Sequence, residues 1–290
     1  MIDFEDLPEL HDPVMIIACE GWNDAGEAAT GALAHLADMW EAEPVAALDP
    51  EEYYDFQVNR PRVVSDEGQR RIQWRTTRVL LASPDSLGRD VLLVSGIEPS
   101  FRWRAFTGEL LELADDAGVG LVISLGALLA DVAHTRPIPV TATSDTESTR
   151  HRFDLERSTY EGPTGIVGVL ADAMGQAGLD SISCWAAVPH YAGHSPSPKV
   201  TMALLSALER LLDVPIDPAD LTDEARAWER GINEFADSDE EVGEYVQALE
   251  QAQDTADLPE ASGDAIAKEF ERYLRRRGPG ESPYPGAKDL

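Results

Sequence analysis

Lysine is nearly absent from this 290-residue chain, occurring only at Lys199, Lys268 and Lys288, and basic residues of both kinds number 23 against 54 acids. The formal charge of −31 excludes nucleic-acid backbones and anionic membrane surfaces as partners, because both repel it. Cysteine occurs twice, as Cys19 and Cys184, each inside an apolar strand-like run. That rules out a disulfide framework and reads as two buried small hydrophobes. No basic-then-apolar segment opens the chain, and no apolar run approaches the ~20 residues that cross a bilayer. There is no Gly-x-Ser-x-Gly elbow and no zinc spacing. The glycine-rich run Gly162-Pro163-Thr164-Gly165-Ile166-Val167-Gly168 lacks the Gly-Lys-Ser/Thr ending of a phosphate loop, and fits close helix–sheet packing better. These absences predict a reduced, soluble, cytoplasmic protein with no metal and no cofactor.

Four apolar runs are present, each ending in a loop crowded with Gly, Pro and reactive side chains. Val14–Cys19 leads into Glu20-Gly21-Trp22-Asn23-Asp24, and Val91–Val94 into Gly96-Ile97-Glu98-Pro99 with Arg102-Trp103-Arg104. Val119–Ser124 leads on to His134-Thr135-Arg136-Pro137, and Ile182–Val188 to Pro189-His190-Tyr191 and Lys199. Helical patterns follow most of them: 24–40 rich in Ala and Gly, 101–117 stopped by Gly118, Pro163 to about Ala177 stopped by Gly178, and 198–212. Val45–Leu48 is a short strand, Arg71–Arg75 and Val79–Leu81 read as hairpin strands, and Thr141–Thr143 as an edge strand. The alternation predicts an α/β fold with a mostly parallel sheet between helical layers. All four loops then meet at the carboxyl edge of the sheet, where open α/β folds place ligands.

Beyond Asp213 apolar residues recur every three or four positions (Leu221, Ala225, Trp228, Ile232, Phe235; then Val242, Tyr245, Val246, Leu249; then Ile266, Phe270, Tyr273) among many acids. This predicts three regions: an α/β core over 1–213, an acidic helical extension over 214–277 packed on the core or on a neighbouring subunit, and a disordered Pro/Gly-rich tail over 278–290.

The carboxyl edge holds the candidate chemistry. Glu20 and Asp24, with Trp22 and Asn23 between them, read either as polar ligand positions or as a capped helix start. Glu98 with Arg102 and Arg104 reads as an anion site at a helix N-terminus, or as an internal ion pair that fixes the loop. His134, Arg136 and His190 fall at the same edge, where a neutral imidazole suits acid–base work. Lys199 is the one lysine inside the α/β body.

In order, the segments 20–26, 96–104, 125–131, 134–137, 160–166 and 189–199 resemble the actinobacterial-type bacterial branch of the proteasome assembly chaperone 2 family. The resemblance covers Val14 to about Leu249. It implies a three-layer fold of the phosphorylase/hydrolase-like kind, self-assembly into homo-oligomers, and a role with proteasome subunits or another protein partner, with no catalytic residues. Archaeal relatives engage proteasomes through a hydrophobic-Tyr-x ending. Here the penultimate residue is Asp289, so a docking tail of that kind is not expected. Two functions are thus in view. One is a non-enzymatic, oligomeric assembly factor with Trp22, Arg102 and Trp103 as anchors. The other is a protein or hydrolase/phosphorylase-like enzyme that holds a phosphate- or carboxylate-containing ligand on Arg102, Arg104 and Lys199, oriented by Glu20, Glu98 or His190.

Overall fold

The computed structural model describes residues 3–4, 7–66 and 68–256; the expected helical continuation to 277 and the tail from 278 lie outside the described residues. In chain order the elements are β1 (Asp3–Phe4), β2 (Val14–Glu20), α1 (Ala28–Met39), β3 (Glu43–Ala47), α2 (Pro50–Tyr53), β4 (Arg62–Asp66), β5 (Gln69–Gln73), β6 (Arg78–Ala82) and β7 (Val91–Ile97). They continue with α3 (Trp103–Asp116), β8 (Leu121–Ala130), β9 (Val140–Thr143), α4 (Glu147–Phe153), α5 (Ile166–Gln176), β10 (Asp180–Pro189), α6 (Pro198–Leu212), α7 (Leu221–Ser238) and α8 (Glu240–Ala256). Eight strands form one sheet in the order β1-β3-β6-β7-β2-β8-β10-β9. Its central four, β7, β2, β8 and β10, run parallel, with antiparallel neighbours on both sides.

Both faces of the central strands are covered, which is why they read as continuous apolar runs. On β2, Val14, Ile16 and Ala18 pack with α1 and α6, while Met15, Ile17 and Cys19 pack with α3 and α5. The small residues Ala28, Ala29 and Ala32 are fully buried and let α1 lie close on the sheet. Gly118 and Gly178 end α3 and α5 with φ of 67° and 88°, as their placement predicts. No helix among the described residues is long and apolar enough to cross a membrane.

Three local expectations change. Arg71–Arg75 and Val79–Leu81 do not pair with each other. Instead β5 turns back on β4, Val63 opposite Ile72, as a separate two-stranded hairpin, while β6 joins the main sheet against β7. Pro163 does not enter the first turn of α5, which starts three residues later at Ile166. The helix after β2 begins as a 3₁₀ turn at Ala25–Glu27, where Gly26 and Glu27 take φ of 64° and 52°, and becomes α-helical only at Ala28.

Candidate interaction edge

Parallel pairing of β7, β2, β8 and β10 does bring the four loops to one rim, and there most of the expected residues are committed to one another. Glu98 Oε1 accepts from Asn23 Nδ2 at 2.8 Å and from the backbone N–H of Ile166 at 2.8 Å. One carboxylate thereby joins the loops after β2 and β7 to the N-terminus of α5, where a negative charge is favoured. Asn23 is fully buried, its carbonyl accepts the Ala127 N–H at 2.8 Å, and its side chain lies where a Cβ on Gly165 would fall. Glycine at 165 is what lets α5 approach this closely. Asp24 reaches over the 3₁₀ turn to cap α1: Oδ1 accepts from Ala29 N at 2.7 Å and Thr30 N at 3.3 Å, and Oδ2 from the Thr30 hydroxyl. Burial raises the Asp24 carboxyl above its ordinary value despite these three lowering bonds. The capped-start reading describes its geometry.

The arginines near Glu98 do not pair with it. Arg102, with φ of 60°, carries its guanidinium to Glu52 and lies 5.9 Å from the Tyr53 ring, while Glu20 is met by Arg75. Trp103 is half-buried, and its indole N–H donates to Pro99 O at 2.7 Å, which fixes the loop rather than leaving a surface anchor. Arg104 is exposed and has no ion-pair partner among the described residues. Cys19, directly below this rim, is pushed up to about 12 by burial and the surrounding carboxylates, so it offers no thiolate.

At the β8–β10 end the helical extension closes over the rim, and the remaining candidates hold it. His134 is fully buried. Tyr191 Oη accepts the His134 backbone N–H at 2.8 Å, which directs its own hydrogen to Nδ1 at 2.8 Å. Nε2 is then the protonated nitrogen and donates to Asn233 Oδ1 on α7 at 3.1 Å. Burial lowers the imidazole below its ordinary value, outweighing the pull of Asn233, Glu229 and Glu250, and Lys199 adds to the depression. Lys199 donates to the His134 carbonyl and to Glu229 at 2.6 Å. Arg136 grips Asp254 of α8 with Nε and Nη2 at 2.6 and 2.8 Å, and Glu250 at 3.2 Å. His190 and Asp131 share Tyr245 of α8, whose hydroxyl donates to Asp131 at 2.9 Å. Side chains of α7 and α8 thus bond to rim residues of the same chain.

Beside exposed polar residues such as Arg104 and Asp131, the rim leaves large apolar side chains open. Trp22 is 64% exposed, Leu129 56% and Tyr160 67%, with Phe101 and Leu128 also open. No group of three or more His, Cys, Asp or Glu among the described residues is arranged to hold a metal. Sequence reasoning missed Leu128, Leu129 and Tyr160, because β8 runs five residues past Leu125 and carries the two leucines clear of the core. It also missed Asn233, Glu229, Glu250 and Asp254, whose partners lie 30 to 118 positions away in the chain.

Fold and rim together define a three-layer α/β protein whose strand ends are partly capped by its own C-terminal helices and otherwise closed by internal hydrogen bonds. The chain belongs to the PAC2 family, whose model matches residues 18–236. It is similar to a PAC2 family protein from Streptomyces avermitilis, with 53% identity and a TM-score of 0.77, over 81% of this chain and 100% of that one. It is also similar to the Mycobacterium tuberculosis proteasome-assembly chaperone homologue Rv2125, with 48% identity and a TM-score of 0.73, over 80% and 99% of the two chains. PbaB of Pyrococcus furiosus, an archaeal proteasome activator, shares the fold at 19% identity and a TM-score of 0.66, over 81% of this chain and 98% of its own. No curated protein matches the chain significantly.

Proposed function

We propose that this protein is a non-enzymatic, oligomeric assembly or interaction factor of the proteasome-assembly-chaperone type, acting in the cytoplasm without a cofactor. The observation that carries this reading is the division of labour at the rim. Glu20, Asn23, Asp24, Glu98, His134, Arg136 and Lys199 are occupied by internal partners, while Trp22, Leu128, Leu129 and Tyr160 stand exposed. An enzyme aims its titratable groups at a reacting atom in an enclosed pocket. A protein-binding surface presents aromatic and aliphatic side chains on a rigid frame instead. The family relationship, including a relative described as a proteasome-assembly chaperone homologue, supports proteasome subunits as the protein partner.

In this reading residues 1–213 are the body and the extension from 214 seals one end of the rim, so that contact is confined to the Trp22–Leu129 part. The acidic helices keep the assembly soluble and favour basic partner surfaces. Trp22→Ala combined with Leu129→Ser tests the assignment. Light scattering after size exclusion is expected to show that the double variant loses self-association or α-subunit binding while its melting temperature is retained. Unchanged assembly in a folded double variant overturns the surface assignment.

A further inference from the structure

Residues 60–78 carry Arg60, Arg62, Arg70, Arg71, Arg75 and Arg78 against Asp66 and Glu67, a basic island in a chain of charge −31. Several arginines elsewhere are matched to carboxylates: Arg89 to Asp12, Arg102 to Glu52, Arg136 to Asp254, Arg152 to Asp180 and Arg157 to Asp145. Arg62 and Arg78 are different. With 54 acids in the chain, neither has an ion-pair partner among the described residues. Both line one cleft of about 250 Å³ at the base of the β4–β5 hairpin, together with Gln73, Trp74, Arg75 and Glu20. Phe56 holds the Trp74 ring as one wall, with centroids 4.8 Å apart.

We infer that this cleft is a receptor for a small multivalent oxyanion, of carboxylate or phosphate type. Arg62, Arg75 and Arg78 all line one concavity, where like charges repel each other unless an anion offsets them. Among the described residues only one of the three is neutralised, by the Glu20 carboxylate on Arg75. Glu20 is thus the resident stand-in for the ligand: it shows that the cleft accepts a carboxylate, and it leaves Arg62 and Arg78 unused. Planar guanidinium forks suit the paired oxygens of carboxylates and phosphates. The volume lies below the roughly 300–1,000 Å³ of drug-sized sites, which fits a compact polyanion rather than a nucleotide. The anion-binding arginines expected from sequence, Arg102 and Arg104, lie outside this cleft. The inference does not rest on the assembly reading.

Isothermal titration of the full chain at low ionic strength tests it, with sodium pyrophosphate in one arm, citrate in another and chloride at matched ionic strength as control. Saturable one-site binding of at least one polyanion is expected, and whichever arm binds identifies the anion type. Arg62→Gln and Arg78→Gln each weaken that binding by about tenfold, because each removes a charge-assisted contact. Glu20→Gln tightens it severalfold, because the internal competitor is gone. All three positions are at the surface, and thermal melts establish that the variants are folded. The inference is overturned if neither polyanion binds wild type or Glu20→Gln above the chloride control. It is equally overturned if binding survives both arginine substitutions, or weakens in Glu20→Gln.

Discussion

Glu98 and Arg102 sit four residues apart in one loop and do opposite kinds of work. Glu98 accepts two hydrogen bonds from groups that have no other outlet, the buried Asn23 amide and the first N–H of α5. Replacing it by Ala strands both donors, and a loss of about 3 kcal/mol in urea unfolding is expected. Arg102 pairs with Glu52 at an exposed site, so Arg102→Ala is expected to cost under ~1 kcal/mol in the same assay. Equal losses in the two variants would contradict the distinction between an internal tie and a surface pair. Gly165→Ala places a methyl group on Asn23, and is expected to destabilise by about 1–3 kcal/mol, through the same unfolding measurement.

At the scale of elements, the docking of α7 and α8 on the rim turns on His134. The imidazole is neutral when docked, with its pKa below the ordinary value, so the undocked or unfolded chain binds the extra proton more readily. Its stabilising contribution is complete above the ordinary pKa of about 6.5. It is lost progressively as pH falls below that, down to the depressed folded value. Tyr191, Asn233, Lys199, Glu229 and Glu250 are the groups that set this balance. The stability advantage of wild type over His134→Asn is therefore expected to shrink between pH 7.5 and 5.5 in paired urea titrations. An advantage that is constant or grows would contradict the neutral, Nε2-protonated imidazole. Arg136→Ala removes the grip on Asp254 and Glu250, and faster amide exchange confined to residues 240–256 is expected.

The elements that sequence reasoning recovered are those governed by local rules: buried parallel strands as apolar runs, glycine stops, and Pro198 opening α6. It mispaired the hairpin because β5 and β6 lie four residues apart, a spacing that suits a hairpin. Only long-range pairing decides that β6 belongs to the main sheet and β5 to β4. It also assigned Glu20, Glu98, His134, Arg136, His190 and Lys199 to the loops after the parallel strands, whose ends lie on one side of the sheet. What each side chain does there was not legible. A carboxylate next to arginines in sequence does not announce that its partners are an asparagine 75 positions before it and an amide 68 positions after it.

The whole molecule is a strongly acidic body with its polar rim turned inward and a small apolar surface left open between the β2 loop and the end of β8. Such a net charge repels nucleic-acid backbones and anionic membranes, and favours the approach of basic surfaces. In the function proposed above, this open rim binds proteasome subunits as protein partners. The most direct measurement is native mass spectrometry of the purified chain, alone and mixed with the proteasome α-subunits of the same organism. The account predicts a stoichiometric complex that Trp22→Ala with Leu129→Ser abolishes. A homo-oligomer or monomer that ignores the α-subunits at micromolar concentration would contradict it.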